Sequence, residues 1–266
     1  MPPLTRRVRV TDIKLKKQRG EKIVMLTAYD ATMARLLERA GIEILLVGDS
    51  LGMVIMGEET TLPVTMDIMV YHTRAVTRGA RKALVVADMP FLSYQASVAE
   101  AIHNARRLLQ EGGASAVKIE GGFPVVEVAR RLVEVGVPVM GHLGLIPQSV
   151  HQLGGYGQQA RAPEQAERLL EEAKALEAAG VFALVLESVP AEVARRVTET
   201  LSIPTIGIGA GPYCDGQVLV SYDAFGLYDE FVPPFVKQYA RLGEEIVRAA
   251  ERFAEEVRLG IFPPAS

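Results

Sequence analysis

The sequence has very little cysteine, asparagine and tryptophan. Its 266 residues include one cysteine, one asparagine and no tryptophan. A single thiol, that of Cys214, excludes a disulfide within the chain and is typical of a reducing compartment. Scarce asparagine and cysteine are also typical of thermophilic proteins, and a biased genome base composition would produce the same pattern.

Long apolar runs and an excess of positive charge are missing too. No run approaches the roughly 18 residues of a membrane-spanning helix, and the formal net charge is −3. Residues 1–21 are basic but lack the apolar segment of a signal peptide. Apolar residues alternate with these charges, which favours a solvated helix face over a nucleic-acid-binding tail. We therefore expect a cytoplasmic protein with neither a membrane nor a nucleic-acid partner.

Short apolar runs rich in β-branched residues recur along the chain. They lack the period-two polarity of half-exposed strands, which is typical of parallel strands covered on both faces. The predicted strands are Ile23–Thr27, Ile44–Val47, Ala83–Ala87, Ala116–Ile119, Val137–Met140, Phe182–Leu186 and Ile203–Ile208, with Gln217–Ser221 as a short eighth.

Helical patterns separate these runs. The predicted helices include Ala31–Ala40, Val98–Glu111, a helix from Pro163 to Gly180, and Pro190–Leu201. One strand and one helix about every 30 residues fit a (β/α)8 TIM barrel of about 250 residues. We predict an α/β fold with a single barrel domain over 1–266, an N-terminal extension 1–21 and a C-terminal helix 244–259. An open doubly wound sheet is the alternative, but no G-x-G-x-x-G motif follows the first strand.

Polar side chains stand at the ends of five predicted strands. They are Asp49, Ser50, Asp88, Lys118, Glu120, His142 and Glu187. Each has an ordinary explanation: a helix cap, a turn residue, a structural ion pair or a hydrogen-bonded core histidine. Catalytic groups of TIM barrels, however, come from the C-terminal ends of several strands. The coincidence at five strand ends therefore favours an active site.

Three of these residues predict a metal site. Asp49, Asp88 and Glu120 offer only oxygen, and no cluster of histidines and cysteines accompanies them. Oxygen ligands favour a hard divalent ion, Mg²⁺ first and Mn²⁺ or Ca²⁺ next, over zinc. Lys118 and Glu120 are two residues apart, so both point to the same side of their strand.

Eleven segments between residues 25 and 226 resemble, in order, the ketopantoate hydroxymethyltransferase (3-methyl-2-oxobutanoate hydroxymethyltransferase) family. They are MLTAYD (25–30), VGDSLGM (47–53), TLPVTMD (61–67), YHTRAV (71–76), ADMPF (87–91), VKIEGG (117–122), GHLGLIPQS (141–149), LVLESVP (184–190), GIGAG (207–211), DGQVLV (215–220) and DAFG (223–226). The sequence departs from the family pattern at Glu58, Ser188 and Pro212, which affects loop contacts and none of the proposed metal ligands.

The resemblance implies a reaction and an assembly. A hydroxymethyl unit would pass from 5,10-methylenetetrahydrofolate to 3-methyl-2-oxobutanoate, giving 2-dehydropantoate for pantothenate biosynthesis through a Mg²⁺-stabilised enolate. The fold would be a barrel of the phosphoenolpyruvate/isocitrate-lyase-like type. The partners would be the small 2-oxo acid, the folate and further copies of the chain, in a homo-oligomer that is a decamer in this family.

The resemblance also implies a role for each residue at the strand ends. Asp49 and Asp88 would hold the metal and, through it, the substrate, with Glu120 a ligand directly or through water. Ser50 and Lys118 would bind the substrate. Glu187 would be the catalytic base, and His142 would orient either the metal ligands or the substrate.

Three alternatives stay open from the residues themselves. One is another metal-dependent 2-oxo-acid lyase or mutase of the same barrel type; many of those carry a reactive loop cysteine, and only Cys214 is available here. Another uses Lys118 as a Schiff-base nucleophile without a metal. The third, a barrel with only a binding role, would be marked by loss of the strand-end carboxylates, which this sequence retains.

Overall fold

Eight parallel strands, hydrogen-bonded in chain order, close into a barrel in the computed structural model, which describes residues 4–264. The strands are β1 (Ile23–Thr27), β2 (Ile44–Val47), β3 (Leu84–Asp88), β4 (Ala116–Glu120), β5 (Val139–Gly144), β6 (Ala183–Glu187), β7 (Thr205–Ile208) and β8 (Gly216–Leu219). The predicted (β/α)8 barrel is confirmed, including the short eighth strand.

Helices alternate with the strands. They are α1 (Val10–Gln18), α2 (Ala31–Arg39), α3 (Leu51–Val54), α4 (Met66–Gly79), α5 (Val98–Arg106), α6 (Val126–Glu134), α7 (Val150–Leu153), α8 (Pro163–Ala178), α9 (Ala191–Thr200), α10 (Ser221–Ala224) and α11 (Leu242–Arg258). Short 3₁₀ turns at Phe123–Val125 and Pro147–Ser149 precede α6 and α7. The Ser97 side chain accepts a hydrogen bond from Glu100 N and caps α5.

Several predicted boundaries differ from the structure by one or two residues, and two predicted segments differ further, for physical reasons. The fifth strand runs Val139–Gly144 rather than Val137–Met140, because its pairing with β4 and β6 continues through His142 after the apolar run has ended. The helix predicted over Val98–Glu111 is α-helical only to Arg106 and continues as a π-turn, Arg107–Glu111. A run of good helix formers gives no signal for that widening.

The lower half of the barrel, at the N-terminal ends of the strands, is filled with apolar side chains. Ile23, Ile44 and Leu84 belong to this core. Ile13 of α1 is fully buried in the same cluster. The basic N-terminal helix thus contributes one apolar residue to the barrel core.

Close approach of the last strand to the first depends on a glycine. A Cβ atom on Gly216 would lie 2.5 Å from the carbonyl oxygen of Ile23. No side chain fits that gap, so glycine allows β8 to close the ring. Nearby, Ile23 N donates to Asp215 O at 3.0 Å.

The chain divides into two compact units at the Val218–Leu219 boundary. The second unit contains α10 and α11. Leu242, Ile246, Phe253 and Val257 recur at helical spacing on one face of α11, and each is more than a third exposed. Across residues 4–264, no helix has both the length and the apolar character needed to cross a membrane.

Candidate active site

The strand register brings the predicted polar residues to one end of the barrel. Asp88, the last residue of β3, pairs with Lys118 of β4. Two residues further along β4, Glu120 pairs with His142 of β5. Because residues i and i+2 of a strand share a face, Lys118 and Glu120 both point to the barrel axis. Glu187, the last residue of β6, completes the row beside Gly144 of β5.

Lys118 lies at the centre of this cluster. Its Nζ is 3.1 Å from Asp88 Oδ1, 3.3 Å from Glu120 Oε1 and 3.1 Å from His142 Nδ1. The side chains of Lys118, Asp88 and Glu120 are at most 4% exposed. A buried ammonium without partners would be costly, so these contacts account for its presence in the barrel.

Asp49 joins the cluster from the loop after β2. Its backbone N–H donates to Asp88 Oδ2 at 3.1 Å, and its side chain is buried. Gly48 precedes it, and a Cβ atom there would lie 2.7 Å from Ser50 Oγ and 3.6 Å from Asp88 Oδ2. The absence of a side chain at Gly48 therefore leaves room for the two neighbouring oxygens.

The carboxyl groups differ in their ease of ionisation. Burial, reinforced by the charges of Glu120 and Asp88, raises the pKa of Asp49 well above its usual value. Burial also raises the pKa of Asp88, against the opposing effect of Lys118. Burial acts on Glu120 in the same direction, but Lys118 and His142 outweigh it and lower the pKa of Glu120 to about 2. Glu120 therefore ionises most readily of the three, and Asp49 and Asp88 retain their protons to a higher pH.

The site keeps Lys118 charged. Burial lowers the pKa of an amine, but Asp88, Glu120 and Asp49 overcome that effect and raise the pKa of Lys118 above its ordinary value. An ammonium is a poor nucleophile. The geometry thus favours charge stabilisation by Lys118 over the alternative of a Schiff base.

His142 bridges the central lysine and the carboxylate at the end of β6. Its Nδ1 faces Lys118, and its Nε2 lies 3.2 Å from Glu187 Oε2. Burial and the Lys118 charge lower the pKa of His142, whereas Glu120 and Glu187 raise it, to about 8. The neutral ring can accept a hydrogen bond from Lys118, while the protonated ring keeps only the carboxylate contacts.

Glu187 is the most accessible of the four carboxylates. Its side chain is 16% exposed, against 3% for the side chains of Asp88 and Glu120. Tyr156 lies in the loop after β5, and burial, reinforced by the charges of Glu187 and Asp49, raises the pKa of its phenol. Tyr156 OH is 3.9 Å from Met53 Sδ, so the loops after β5 and β2 meet here.

Ser50 immediately precedes the short helix α3. Its Oγ is 2.8 Å from the hydroxyl of Tyr29, which is buried. The contact holds the serine hydroxyl in place beside Asp49. A held hydroxyl can donate to or accept from a polar ligand at this end of the barrel.

Two buried residues of this network were not among the sequence predictions. Gln148 donates from Nε2 to Asp49 Oδ2 at 2.9 Å, and from its backbone N to Glu120 Oε2 at 3.1 Å. Tyr94 OH is 2.8 Å from Gln148 Oε1 and accepts from Glu120 N at 2.9 Å. A loop glutamine has no signature of its own; membership of the segment GHLGLIPQS was the available signal for Gln148.

Strained backbone is found in the loops at this end of the barrel. Leu92, Ala160 and Ser188 have φ values of 60°, 53° and 49°. They follow β3, β5 and β6 respectively. Left-handed φ in residues with a side chain is uncommon and concentrates at functional sites. Ser188 directly follows Glu187, so the strain adjoins a predicted catalytic residue.

The donor set fits a hard divalent ion. Asp49, Asp88 and Glu120 supply three buried carboxyl groups beside a single ammonium, that of Lys118. No hydrogen bond of good geometry reaches Asp88 Oδ1 from the described residues, although Lys118 Nζ is close. Within residues 4–264 no three His, Cys, Asp or Glu side chains are arranged to hold a metal together. Mg²⁺ commonly takes only one or two carboxylates, with water and substrate completing its shell.

Solved structures share this barrel fold. The chain is similar to 2,3-dimethylmalate lyase, described as a PEP mutase/isocitrate lyase superfamily member, with a TM-score of 0.62 and 17% identity over 97% of this chain and 90% of that one. It is also similar to phosphoenolpyruvate phosphomutase from Streptomyces platensis subsp. rosaceus, with a TM-score of 0.64 and 14% identity over 95% and 88%. These matches confirm the predicted type of fold.

Sequence comparison then gives the family. The family model for ketopantoate hydroxymethyltransferase matches residues 7–265. The 3-methyl-2-oxobutanoate hydroxymethyltransferase of Moorella thermoacetica (strain ATCC 39073 / JCM 9320) is 58% identical over 257 residues, which cover 97% of this chain and 96% of the relative. The chain belongs to the ketopantoate hydroxymethyltransferase family.

Proposed function

We propose that the chain transfers a hydroxymethyl unit from 5,10-methylenetetrahydrofolate to 3-methyl-2-oxobutanoate, giving 2-dehydropantoate for pantothenate biosynthesis. The observation that carries this proposal is the Lys118 ammonium, held among buried carboxylates at the C-terminal ends of the strands. A 2-oxo acid is an anion whose reaction develops negative charge on the keto oxygen. A fixed positive charge beside that oxygen lowers the barrier to its formation.

Asp49 and Asp88 would hold Mg²⁺ or another hard divalent ion, and Glu120 would be a ligand directly or through water. Their oxygen-only chemistry supports this assignment. When bound, such an ion supplies charge stabilisation to the keto and carboxylate oxygens of the 2-oxo acid, and thereby to its enolate.

Ser50 and Lys118 would bind the substrate together with the two aspartates. The Ser50 hydroxyl is fixed by Tyr29, and Lys118 Nζ by its carboxylate partners. Groups held in this way lose little further freedom when a substrate binds, which favours a defined substrate orientation.

Glu187 would remove the proton from C3 of the substrate. Its carboxylate is the most accessible of the site and lies at the end of β6. His142 Nε2, at 3.2 Å, would orient the Glu187 carboxylate. The electron pair left on C3 would then attack the methylene carbon of the folate, forming the new carbon–carbon bond. Both carbon–nitrogen bonds of the methylene group would break, and water would supply the hydroxyl of the new hydroxymethyl group. The two nitrogens would take up the C3 proton and the remaining proton of the water, which releases tetrahydrofolate.

The wider organisation is part of the proposal. We infer a single barrel domain over 1–266 with an N-terminal extension 1–21 and a C-terminal helix, and a cytoplasmic location. A homo-oligomer, a decamer as in the family, is supported by the exposed apolar face of α11. A surface of this kind on a helix is typical of association with another chain.

Proton exchange at C3 tests the first half-reaction without folate. The purified protein is incubated with Mg²⁺ and 3-methyl-2-oxobutanoate in D₂O, and the C3 proton signal is followed by NMR. We expect the signal to disappear with the metal and to persist with EDTA. Persistence with every divalent ion tried would refute the proposed enolisation. Adding 5,10-methylenetetrahydrofolate should then yield 2-dehydropantoate, whereas cleavage or rearrangement of a 2-oxo acid would indicate the lyase or mutase alternative.

A further inference from the structure

Gln148 uses every hydrogen-bonding group of its side chain. It lies in the turn Pro147–Ser149 after β5 and is 3% exposed. Its Nε2 donates to Asp49 Oδ2 and to Met89 O, both at 2.9 Å. Its Oε1 accepts from Tyr94 OH at 2.8 Å and from Gln95 Nε2 at 3.1 Å. A buried amide with four partners is held in one position.

The orientation of this amide follows from its partners. The carbonyl oxygen of Met89 can only accept hydrogen bonds, so the Gln148 atom beside it is the NH₂ group. A flipped amide would place its oxygen against both that carbonyl and the Asp49 carboxylate. The donor therefore faces Asp49.

The same residue also reaches Glu120. Its backbone N–H donates to Glu120 Oε2 at 3.1 Å. Tyr94 extends the connection, since its hydroxyl accepts from Glu120 N while it contacts the Gln148 amide. Gln148 thus links carboxylates from β4 and from the loop after β2.

The Gln148 amide differs from Lys118 because it is a hydrogen-bond donor without a charge. Lys118 holds Asp88 and Glu120 but also offsets part of their charge. Gln148 holds Asp49 without adding a charge. The contact therefore fixes the Asp49 side chain without placing a positive charge beside it that would compete with a cation.

We propose that Gln148, supported by Tyr94, is the positioning residue that presents Asp49 and Glu120 to the divalent ion. The inference rests on the proposed function, in which these carboxylates serve the metal. Partners that orient ligands in this way commonly change metal affinity or activity by about 10- to 100-fold when they are removed.

The test is the affinity for Mn²⁺ alone, measured by isothermal titration calorimetry on the full chain without substrate. Gln148→Met keeps the length of the side chain and removes its donors and acceptor. We expect Mn²⁺ to bind this variant about 10- to 100-fold more weakly. In turnover assays the apparent KM for Mn²⁺ should rise to a similar extent, with a much smaller change in kcat at saturating Mn²⁺. A merely structural role would not produce that split.

Gln95→Ala is the matched control. Gln95 is exposed and bonds to the far side of the same amide without a carboxylate contact, so its loss should leave Mn²⁺ affinity near that of the wild type. Tyr94→Phe keeps the ring and removes the hydroxyl; we expect weaker Mn²⁺ binding, and it carries the test where Gln148→Met does not fold. If Gln148→Met folds and binds Mn²⁺ as tightly as the wild type, the positioning role is refuted. If only Tyr94→Phe folds, the same result in that variant refutes it. Neither result would refute the proposed function. Absence of Mn²⁺ binding and turnover in the wild type would overturn the proposed function as well.

Discussion

The backbone N–H of Asp49 donates to Asp88 Oδ2 at 3.1 Å, so one of the proposed metal ligands helps to fix the loop that carries the other. Asp88 therefore has two roles: it accepts a hydrogen bond from the backbone of Asp49, and it is a carboxyl group of the proposed metal site. Substitutions at Asp88 can distinguish the structural role from the metal-binding role.

Asp88→Asn and Asp88→Ala are expected to behave differently in stability and alike in metal binding. Both variants lose the ion pair with Lys118 and should be less stable than the wild type. The asparagine retains an oxygen for the Asp49 N–H, while alanine also leaves that buried donor unpaired, at a further cost of about 1–3 kcal/mol. Both variants remove a proposed direct ligand of the metal. Removal of a residue that only orients a ligand weakens metal binding by up to about 100-fold. We therefore expect both variants to bind Mn²⁺ about 100-fold more weakly or worse. Urea unfolding and calorimetry measure the two effects. Normal Mn²⁺ affinity in Asp88→Asn would restrict Asp88 to the backbone contact.

Glu187→Gln tests the base. The amide keeps the size of the side chain but cannot accept the C3 proton, so kcat should fall by about 100- to 10,000-fold, the usual contribution of a general base. Affinity for Mn²⁺ should remain near that of the wild type. Glu127→Gln, an exposed glutamate on α6 paired with Arg130, controls for the substitution itself. Turnover near the wild-type rate in Glu187→Gln would require another base.

Lys118→Met leaves Asp88 and Glu120 buried without their ammonium partner. Breaking a buried ion pair from one side costs about 3–5 kcal/mol, so Tm should fall clearly. Because a divalent ion can replace the missing charge, added Mg²⁺ should raise the Tm of this variant more than that of the wild type.

Lys17→Met is the comparison for Lys118→Met. Lys17 pairs with Asp215 at 2.9 Å, away from the cluster of carboxylates at the strand ends. Its loss should lower Tm without any recovery by Mg²⁺. An equal response of both variants to the ion would show that Mg²⁺ does not act through the proposed site.

Asp223 predicts a pH dependence of stability. Burial raises its pKa from 3.8 to about 6, so between these values the folded protein binds more protons than the unfolded chain. Its contribution is most favourable below the unfolded pKa and declines as pH rises through the folded pKa, by at most about 3 kcal/mol. Asp223→Asn should therefore be more stable than the wild type at pH 7, and the difference should shrink towards pH 4. A constant difference in unfolding free energy across this range would contradict the assignment.

A charged substitution on the apolar face of α11 should disrupt the proposed homo-oligomer. Phe253→Glu places a charge on that face, where the wild-type side chain is 56% exposed in the single chain. We expect the oligomer to dissociate, as measured by light scattering coupled to size-exclusion chromatography. Glu251→Lys, a charge change at an exposed position of the same helix, should leave the mass unchanged. An intact oligomer in Phe253→Glu would place the interface elsewhere.

The fold was largely predictable because the barrel strands are covered on both faces. Such strands appear as apolar runs, and Ile23–Thr27 and Ile44–Val47 begin and end where the sequence predicts. The prediction of strand boundaries fails where residues of the site interrupt the apolar run. Gly141 and His142 end the apolar run of β5, yet the strand continues through them.

The site was predictable only in part. Titratable residues at strand ends stand out from apolar sequence, and the structure brings Asp49, Asp88, Lys118, Glu120, His142 and Glu187 to one end of the barrel. Gln148 and Tyr94 belong to loops, where polar and aromatic residues are ordinary. Their significance depends on a hydrogen-bond network across segments distant in sequence, and no local pattern encodes such distances.

The register of the strands limits how this sequence can change in length. Lys118 stands opposite Asp88, and Glu120 opposite His142. Inserting or deleting one residue within β4 would turn its inward side chains outward, because the faces of a strand alternate. The ammonium and a carboxylate would then point into the surrounding helices. Insertions and deletions within β3 to β6 should therefore abolish activity. Those in connections that lie away from these strand ends should be tolerated.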